Sequence, residues 1–350
     1  MNHSARVYDS ILELLPSEEN PSPMVRLNRM SPAPEAFPLF AKLEWMNPFG
    51  SVKDRAAAFL LRQLEEAGEL GNGNGRGVVE PTSGNTGISL AAMASVRGYP
   101  MLAVVPNKVP LEKKVLLKIA GAELEVVADE LCPSPGMGDG SINLAKTYAK
   151  AQSERWAMPN QYENEANVRA HLETTGPEIW RQTEGRITHL FLSLGTCGTV
   201  TGLATYLKER KPDVQVIAVQ PTEGHDVPGL RNVRQLEVSK LYDPSLIDEI
   251  LEIDFELAYT RAVELSRAEG LLAGPSSGLV YEGARRVIER DFIGEAAGAT
   301  GQAAGAGYGV MIFADNVFKY TSNLAKHVPA LAQGVEPAAQ ATAATTGGTR

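Results

Sequence analysis

The chain reads as a doubly wound α/β protein, and three observations predict it. Short apolar runs rich in β-branched or aromatic residues recur from about residue 38 onward. Longer segments with helical periodicity separate them, the alternation that a parallel sheet covered by helices requires. At 350 residues the chain exceeds one average domain, so its length allows two domains sharing an interface or one large α/β domain.

Taken in order, the apolar runs predict strands over 39–45, 77–80, 101–105, 124–128, 189–194, 214–220 and 309–313. The periodic segments between them predict helices over 53–69, 86–97, 111–120, 168–182, 199–210, 255–269 and 277–290. Two stretches dominated by small residues, 294–309 and 336–350, are expected to be flexible. The βα unit recurs, but no repeat of solenoid period is present.

Charge and composition narrow the function. The 42 acidic against 33 basic residues leave a net charge of −9, and no Lys or Arg run is long enough to track a phosphate backbone. Nucleic acid is not an expected partner. Cys132 and Cys197 form neither a CxxC pair nor a dense framework, so no structural disulfide is expected and a reducing cytoplasm fits best. The opening MNHSARVYDSILELLPSEEN has no basic-then-apolar signal pattern, and no stretch approaches the roughly 20 apolar residues of a membrane span. Neither export nor membrane insertion is expected. His3, His171, His189, His225 and His327 show no metal-ligand spacing, so no metal and no haem are expected.

Four loops carry the chemistry. The first, NPFGSVKDR (Asn47–Arg55), follows the first strand with a Pro and Gly turn and opens a helix with Lys53 in its first turn, where an amine can point into a cleft. A lone lysine at a helix start is more often simply solvated. The second, PTSGNTG (Pro81–Gly87), gathers hydroxyls and backbone N–H groups at a helix N-terminus, a site for a carboxylate or phosphate. Caps use the same residue types, yet seven in a row exceed what a cap needs. The third, GTCGT (Gly195–Thr199), is a second anion cradle between strand and helix; it has no lysine and so is not a Walker A loop. GNGNG (Gly71–Gly75) precedes a strand instead of following one, which makes it a surface turn and not a dinucleotide fingerprint. The fourth, AGPSSG (Ala273–Gly278), places Ser276 near the carboxyl edge of the sheet; alone it is an ordinary Gly/Ser turn.

In this order and context the four loops closely resemble the fold-type II pyridoxal-phosphate enzymes, specifically the cysteine synthase and cystathionine β-synthase family, over roughly residues 20–327. The resemblance implies a tryptophan synthase β-like architecture of two doubly wound domains with the cofactor in the cleft between them. Residues 1–45 together with 162–330 would form the larger cofactor-binding domain, 46–161 a smaller mobile substrate domain, and 331–350 a flexible tail. It implies a homodimer as well.

Residue by residue, the resemblance makes Lys53 the carrier of pyridoxal 5′-phosphate as a Schiff base and then the base that removes the α-proton. Gly195, Thr196, Cys197, Gly198 and Thr199 match the cradle of the cofactor phosphate. The family more often has Gly or Thr where Cys197 stands, and no base adjoins that thiol in sequence, so Cys197 reads as a filler and not a nucleophile. Ser276 matches the hydrogen-bond partner of the pyridine nitrogen, and Asn85 that of the 3-hydroxyl. Thr82, Ser83, Asn85 and Thr86, with Gln161 of NQYEN, match the substrate site, where the carboxylate is held. The helix 111–120 and Lys319-Tyr320 extend the likeness.

The implied reaction is β-replacement: an activated serine loses its leaving group, an aminoacrylate remains, and a sulfur donor adds to give L-cysteine or a derivative. Sulfide, thiosulfate, a protein thiocarboxylate and homocysteine all stay open as donors. A cystathionine β-synthase-like or dehydratase reaction is the alternative, and Tyr162 fits either branch. A catalytically silent scaffold of the same fold is a third reading, against which the intact Lys53 argues. Arg231, in VPGLRN (Val227–Asn232) after strand 214–220, is expected at the cleft rim and resembles the arginine of the O-phosphoserine sulfhydrylase branch. Its planar fork matches phosphate oxygens, so O-phosphoserine is the expected donor and O-acetylserine the secondary one. The alternative is a solvated surface arginine beside Arg234.

Overall fold

Buried apolar strands and the helices between them build two sheets. The computed structural model describes residues 7–71, 73–128, 140–293 and 307–333. In chain order the strands are β1 (Met24–Arg26), β2 (Leu39–Leu43), β3 (Gly77–Pro81), β4 (Met101–Pro106), β5 (Glu123–Val127), β6 (Trp156–Ala157), β7 (His189–Ser193), β8 (Gln215–Pro221), β9 (Glu249–Ile253) and β10 (Gly309–Phe313). The main helices are α1 (Lys53–Glu66), α2 (Asn85–Arg97), α3 (Leu111–Ile119), α4 (Gly140–Ala151), α5 (Ala166–Ala170), α6 (Gly176–Gln182), α7 (Gly198–Arg210), α8 (Phe255–Glu269) and α9 (Pro275–Ile288), followed by the short helix Thr321–His327.

Among the described residues, β1-β2-β10-β7-β8-β9 make a six-stranded sheet and β5-β4-β3-β6 a four-stranded one. Every pairing is parallel except β1 with β2. Strands β3, β4 and β10 are buried along their whole length, as parallel strands covered on both faces must be, which is why they read as unbroken apolar runs. Each sheet has its own core: Val78, Leu90, Met93 and Ala103 in the smaller, Leu39, Phe191, Val280 and Phe313 in the larger.

Several elements differ from the sequence expectation. Strands β1, β6 and β9 and helix α4 were not predicted; β9 alternates half-buried and exposed residues before the buried Ile253 and carries Glu249 and Glu252, which mask its β character. The segment expected as one helix over 168–182 is broken into α5, a π-helical turn His171–Thr175 and α6. Pro177 explains the break, because a proline ring removes an N–H and crowds the carbonyl four residues back. Helix α1 ends at Glu66, short of residue 69, where Gly68 takes φ +71°. Position 309 opens β10; the flexibility expected of 294–306 and 336–350, and Cys132, lie outside the described residues. Among the described residues no helix is long and apolar enough to cross a membrane.

One polar cluster lies inside this apolar frame. Arg55, one turn into α1, donates Nε to Glu44 at 2.7 Å and Nη1 to Glu178 at 2.6 Å. Lys42 donates to the same Glu178 at 2.6 Å, and Ser22 Oγ donates to Glu44 at 2.7 Å. All four charged side chains are essentially inaccessible, so two cations face two carboxylates away from water. Burial alone would raise the Glu44 carboxyl, but the Arg55 guanidinium holds it at about 2. The cluster joins β2, α1 and α6, and thereby ties the helix that begins at Lys53 to the larger sheet.

Arg55→Leu is expected to destabilise the protein by about 3–5 kcal/mol, the cost of leaving a buried charge without its partner. Denaturant unfolding at pH 7 measures this; a loss below about 1 kcal/mol would contradict the clamp.

Candidate active site

The carboxyl ends of β3, β7 and β10 open on one cleft, where ligands of open α/β sheets bind. Lys53 is delivered there by a loop stitched to β10. Val52 N donates to Ala314 O at 2.8 Å, Ser51 bridges to Asp315, and Lys53 N donates to Ser51 Oγ at 3.2 Å. Gly50 turns the chain at φ +80°, and its carbonyl accepts from Lys319 Nζ at 2.8 Å. The Lys53 amine donates to Thr196 Oγ1 at 3.4 Å. Burial pushes it down to about 8, so it holds its proton less firmly than an exposed lysine.

The loop after β3 is shaped by its own hydroxyls. Thr82 Oγ1 accepts from Gly84 N at 3.1 Å and from Gly87 N at 3.0 Å, and a Cβ at Gly87 would stand 2.4 Å from Thr82 Cγ2. Thr86 Oγ1 donates to Gln161 Oε1 at 2.6 Å, which brings Gln161 to the loop from 75 residues away. Glu80, fully buried at the end of β3, accepts from Asn160 N at 2.8 Å and Gln161 N at 3.0 Å. It thus holds the 160–161 turn, and burial pushes its own carboxyl up to about 7. Both ends of the Asn85 amide are engaged: Nδ2 donates to Asp315 Oδ2 at 2.6 Å and Oδ1 accepts from Lys319 Nζ at 3.2 Å. That pairing leaves Nδ2 one further hydrogen, close to the Tyr320 hydroxyl.

The loop after β7 is a cradle of backbone. Added Cβ atoms would stand 2.8 Å from Gly229 O at Gly195 and 2.3 Å from Asn167 Oδ1 at Gly198. Cys197 takes φ +68° just ahead of α7, in the left-handed region where side chains are disfavoured, so the N–H groups of the first helical turn stay near the bend. Asn167 Nδ2 and Ser239 Oγ fasten Thr196, at 2.9 Å through its hydroxyl and 2.7 Å through its carbonyl. Ser276 is the second residue of α9 and lines the cleft.

The cleft brings together Lys53, Thr82, Ser83, Asn85, Thr86, Gln161, Gly195, Thr196, Cys197, Thr199, Ser276 and Arg231. Of the cofactor- and substrate-site residues expected from the sequence, Gly198 does not line it; it packs against Asn167 behind the cradle. Arg231 is 6% exposed, set inside the cleft instead of at its rim, while its neighbour Arg234 is exposed and paired with Glu223. Arg231 Nη2 donates to Tyr162 Oη at 3.3 Å. Sequence reasoning missed Lys113, Asp315 and the part played by Tyr320. Asp315 carried one readable signal, an acid directly after the buried run of β10.

These residues fit pyridoxal phosphate. An amine facing the cleft can meet its carbonyl, a glycine-lined helix N-terminus suits its phosphate, and Ser276 and Asn85 carry polar groups that can partner its ring nitrogen and hydroxyl. The profile of the pyridoxal-phosphate dependent enzymes matches residues 15–298. The chain belongs to this family. Cysteine synthase B of Salmonella typhimurium is 41% identical over 266 residues, covering 76% of this chain and 84% of its own. Cysteine synthase B of Escherichia coli is 40% identical over 268 residues, covering 77% and 85%. Among solved structures, O-ureido-L-serine synthase matches with a TM-score of 0.79 at 30% identity, covering 96% of this chain and 98% of that one. O-Acetyl serine sulfhydrylase isoform 3 from Entamoeba histolytica gives 0.76 at 28% identity, covering 93% and 94%. The architecture is that of fold-type II enzymes of this family, and the cofactor is pyridoxal phosphate.

Cys197 is buried, and desolvation pushes its thiol up to about 12. In the folded protein at pH 8 it is expected to resist iodoacetamide for hours, as peptide mass spectrometry would show; rapid alkylation of Cys197 would contradict the buried geometry.

Proposed function

We propose that the chain makes L-cysteine, or a cysteine derivative, by β-replacement on an activated serine, with O-phosphoserine preferred over O-acetylserine. The observation that carries the preference is the burial of Arg231 in the cleft that holds Lys53. The similarity to cysteine synthases supports the reaction class.

Bound pyridoxal phosphate supplies the sink for the electron pair released at the substrate α-carbon. The protein residues supply position and proton transfer. Thr82, Ser83, Thr86 and Gln161, with the N-terminus of α2, hold the substrate carboxylate and orient the Cα–H bond. The Lys53 amine, destabilised as an ammonium by burial, takes that proton and can return it. Ser276 gives the ring nitrogen a neutral hydroxyl partner, which does not hold it protonated as a carboxylate would. That setting favours loss of a β-substituent over reactions that keep the charge on the ring. Asn85, aligned by Asp315 and Lys319, would hold the ring hydroxyl of the bound cofactor through its amide.

Arg231 supplies the positive charge that a departing phosphate needs in a protein of net charge −9. A guanidinium 6% exposed is only weakly screened by solvent, so its attraction for a dianion is stronger there than on the surface. We further read residues 46–161, which carry the smaller sheet, as the unit that moves when the carboxylate is bound.

Arg231→Ala should lower kcat/KM with O-phosphoserine about 100-fold or more, the ~2.7–4 kcal/mol typical of a removed charge stabiliser, and leave O-acetylserine within a few-fold. Steady-state assays with sulfide on both substrates decide it: equal losses, or none, would refute a phosphate-selecting role.

A further inference from the structure

The cleft holds a second buried lysine that the chemistry above does not use. Lys113, the third residue of α3, is 1% exposed and lines the same cavity as Lys53. Its Nζ lies 4.0 Å from the centroid of the Tyr320 ring, and among the described residues it meets no hydrogen-bond acceptor and forms no ion pair.

The path of this side chain is built into the loop above it. A Cβ at Gly84 would stand 2.9 Å from Lys113 Cδ and 3.4 Å from its Nζ, so the absence of a side chain at 84 is what lets the ammonium reach beneath Thr82–Thr86. Gly84 also takes φ +150°, which few other residues adopt. The amine therefore lies under a loop whose hydroxyls and helix N-terminus already favour an anion.

None of the charged groups near Lys113 is hydrogen-bonded to it. Asp315, the strongest opposing charge, accepts from Asn85 and from the Tyr320 hydroxyl through Oδ2, while its buried Oδ1, against Gly274, has no hydrogen-bond partner among the described residues. Lys319 is taken up by the carbonyls of Phe49 and Gly50 and by Asn85. Glu112 turns outward to Ser322. Burial pushes the Lys113 amine down to about 8, with Asp315 opposing, so it remains largely charged at neutral pH. An ammonium without a hydrogen-bond acceptor and with little access to water is costly, and a carboxylate brought to it through the cleft would offset that cost.

We propose that Lys113 is a specificity-determining residue that binds the α-carboxylate of the amino-acid substrate from beneath the 82–86 loop, so that the cleft selects free carboxylates over neutral amides. The inference rests on the reading of that loop as the carboxylate site and adds a positive charge there that, unlike Lys319, no hydrogen bond already engages. A merely structural tether between Lys113 and Tyr320 would alter stability and leave this selectivity untouched.

The test uses the protein loaded with pyridoxal phosphate, titrated at pH 7 with L-serine and with L-serinamide while the visible absorbance of the cofactor is followed. Comparing the serine-to-serinamide affinity ratio between parent and variant cancels the difference in amine basicity. Lys113→Met should shrink that ratio about 10- to 100-fold, chiefly by weakening L-serine, and Lys113→Arg should restore it to within a few-fold. If the Met variant does not fold, Lys113→Gln, which keeps a donor without the charge, is read in the same way. An unchanged ratio in the uncharged variant overturns the role of Lys113 and leaves the loop assignment standing. A parent protein that binds neither ligand overturns the loop assignment, and the inference with it.

Discussion

The cluster of Arg55, Lys42, Glu44 and Glu178 is the constraint on which the placement of the site depends. Two cations and two carboxylates are taken out of water together, and each alone would be prohibitively costly there. Satisfying them demands that β2, α1 and α6 meet at fixed distances, since the hydrogen bonds are directional and nearly all shorter than 3.0 Å. Lys53 lies two residues before Arg55 on the same helix. Its other flank is held by Val52 and Ser51 against the end of β10. The backbone that carries the amine is thus held from both sides, which is the preorganisation that the proposed catalytic base requires.

The electrostatics of the cleft run against those of the whole molecule. A chain of net charge −9 concentrates Lys53, Lys113 and Arg231 in one cavity, while the acids that border it are muffled by hydrogen bonds: Asp315 by Asn85 and Tyr320, Glu80 by two backbone amides. Such a cavity favours small anions carried on a polar scaffold. The three cations also divide their tasks by surroundings. Lys53 rests against a hydroxyl and can shed its proton, Arg231 donates to the Tyr162 hydroxyl, and Lys113 stands over the Tyr320 ring with Asp315 as its strongest opposing charge.

The parts of this arrangement that are local in sequence were legible in it. Each anion cradle lies within one strand–turn–helix unit, so PTSGNTG and GTCGT announce themselves through the residue types that a helix N-terminus needs. Lys53 and Ser276 are similarly placed by their own turns. Partners that arrive from far along the chain were not legible: Asp315 reaches Asn85 across 230 residues, and Gln161 was found only through family likeness although Thr86 and Glu80 fix it in space. Lys113 was hidden because a lysine on an amphipathic helix ordinarily points to solvent, and only the missing side chain of Gly84 turns it inward. In the fold, β9 was masked by its glutamates, and the break at His171–Thr175 by an otherwise continuous helical period.

The central claim is that Lys53, and not the more deeply buried Lys113, is the amine to which pyridoxal phosphate attaches. Both amines are pushed down to about 8, so basicity does not separate them; geometry does, because Lys53 alone faces the 195–199 cradle. Borohydride reduction of the cofactor-loaded protein, followed by peptide mass mapping, tests this directly. The account predicts a single pyridoxyl modification, on Lys53. Modification of Lys113, or a protein that takes up the cofactor without any lysine becoming labelled, would contradict it.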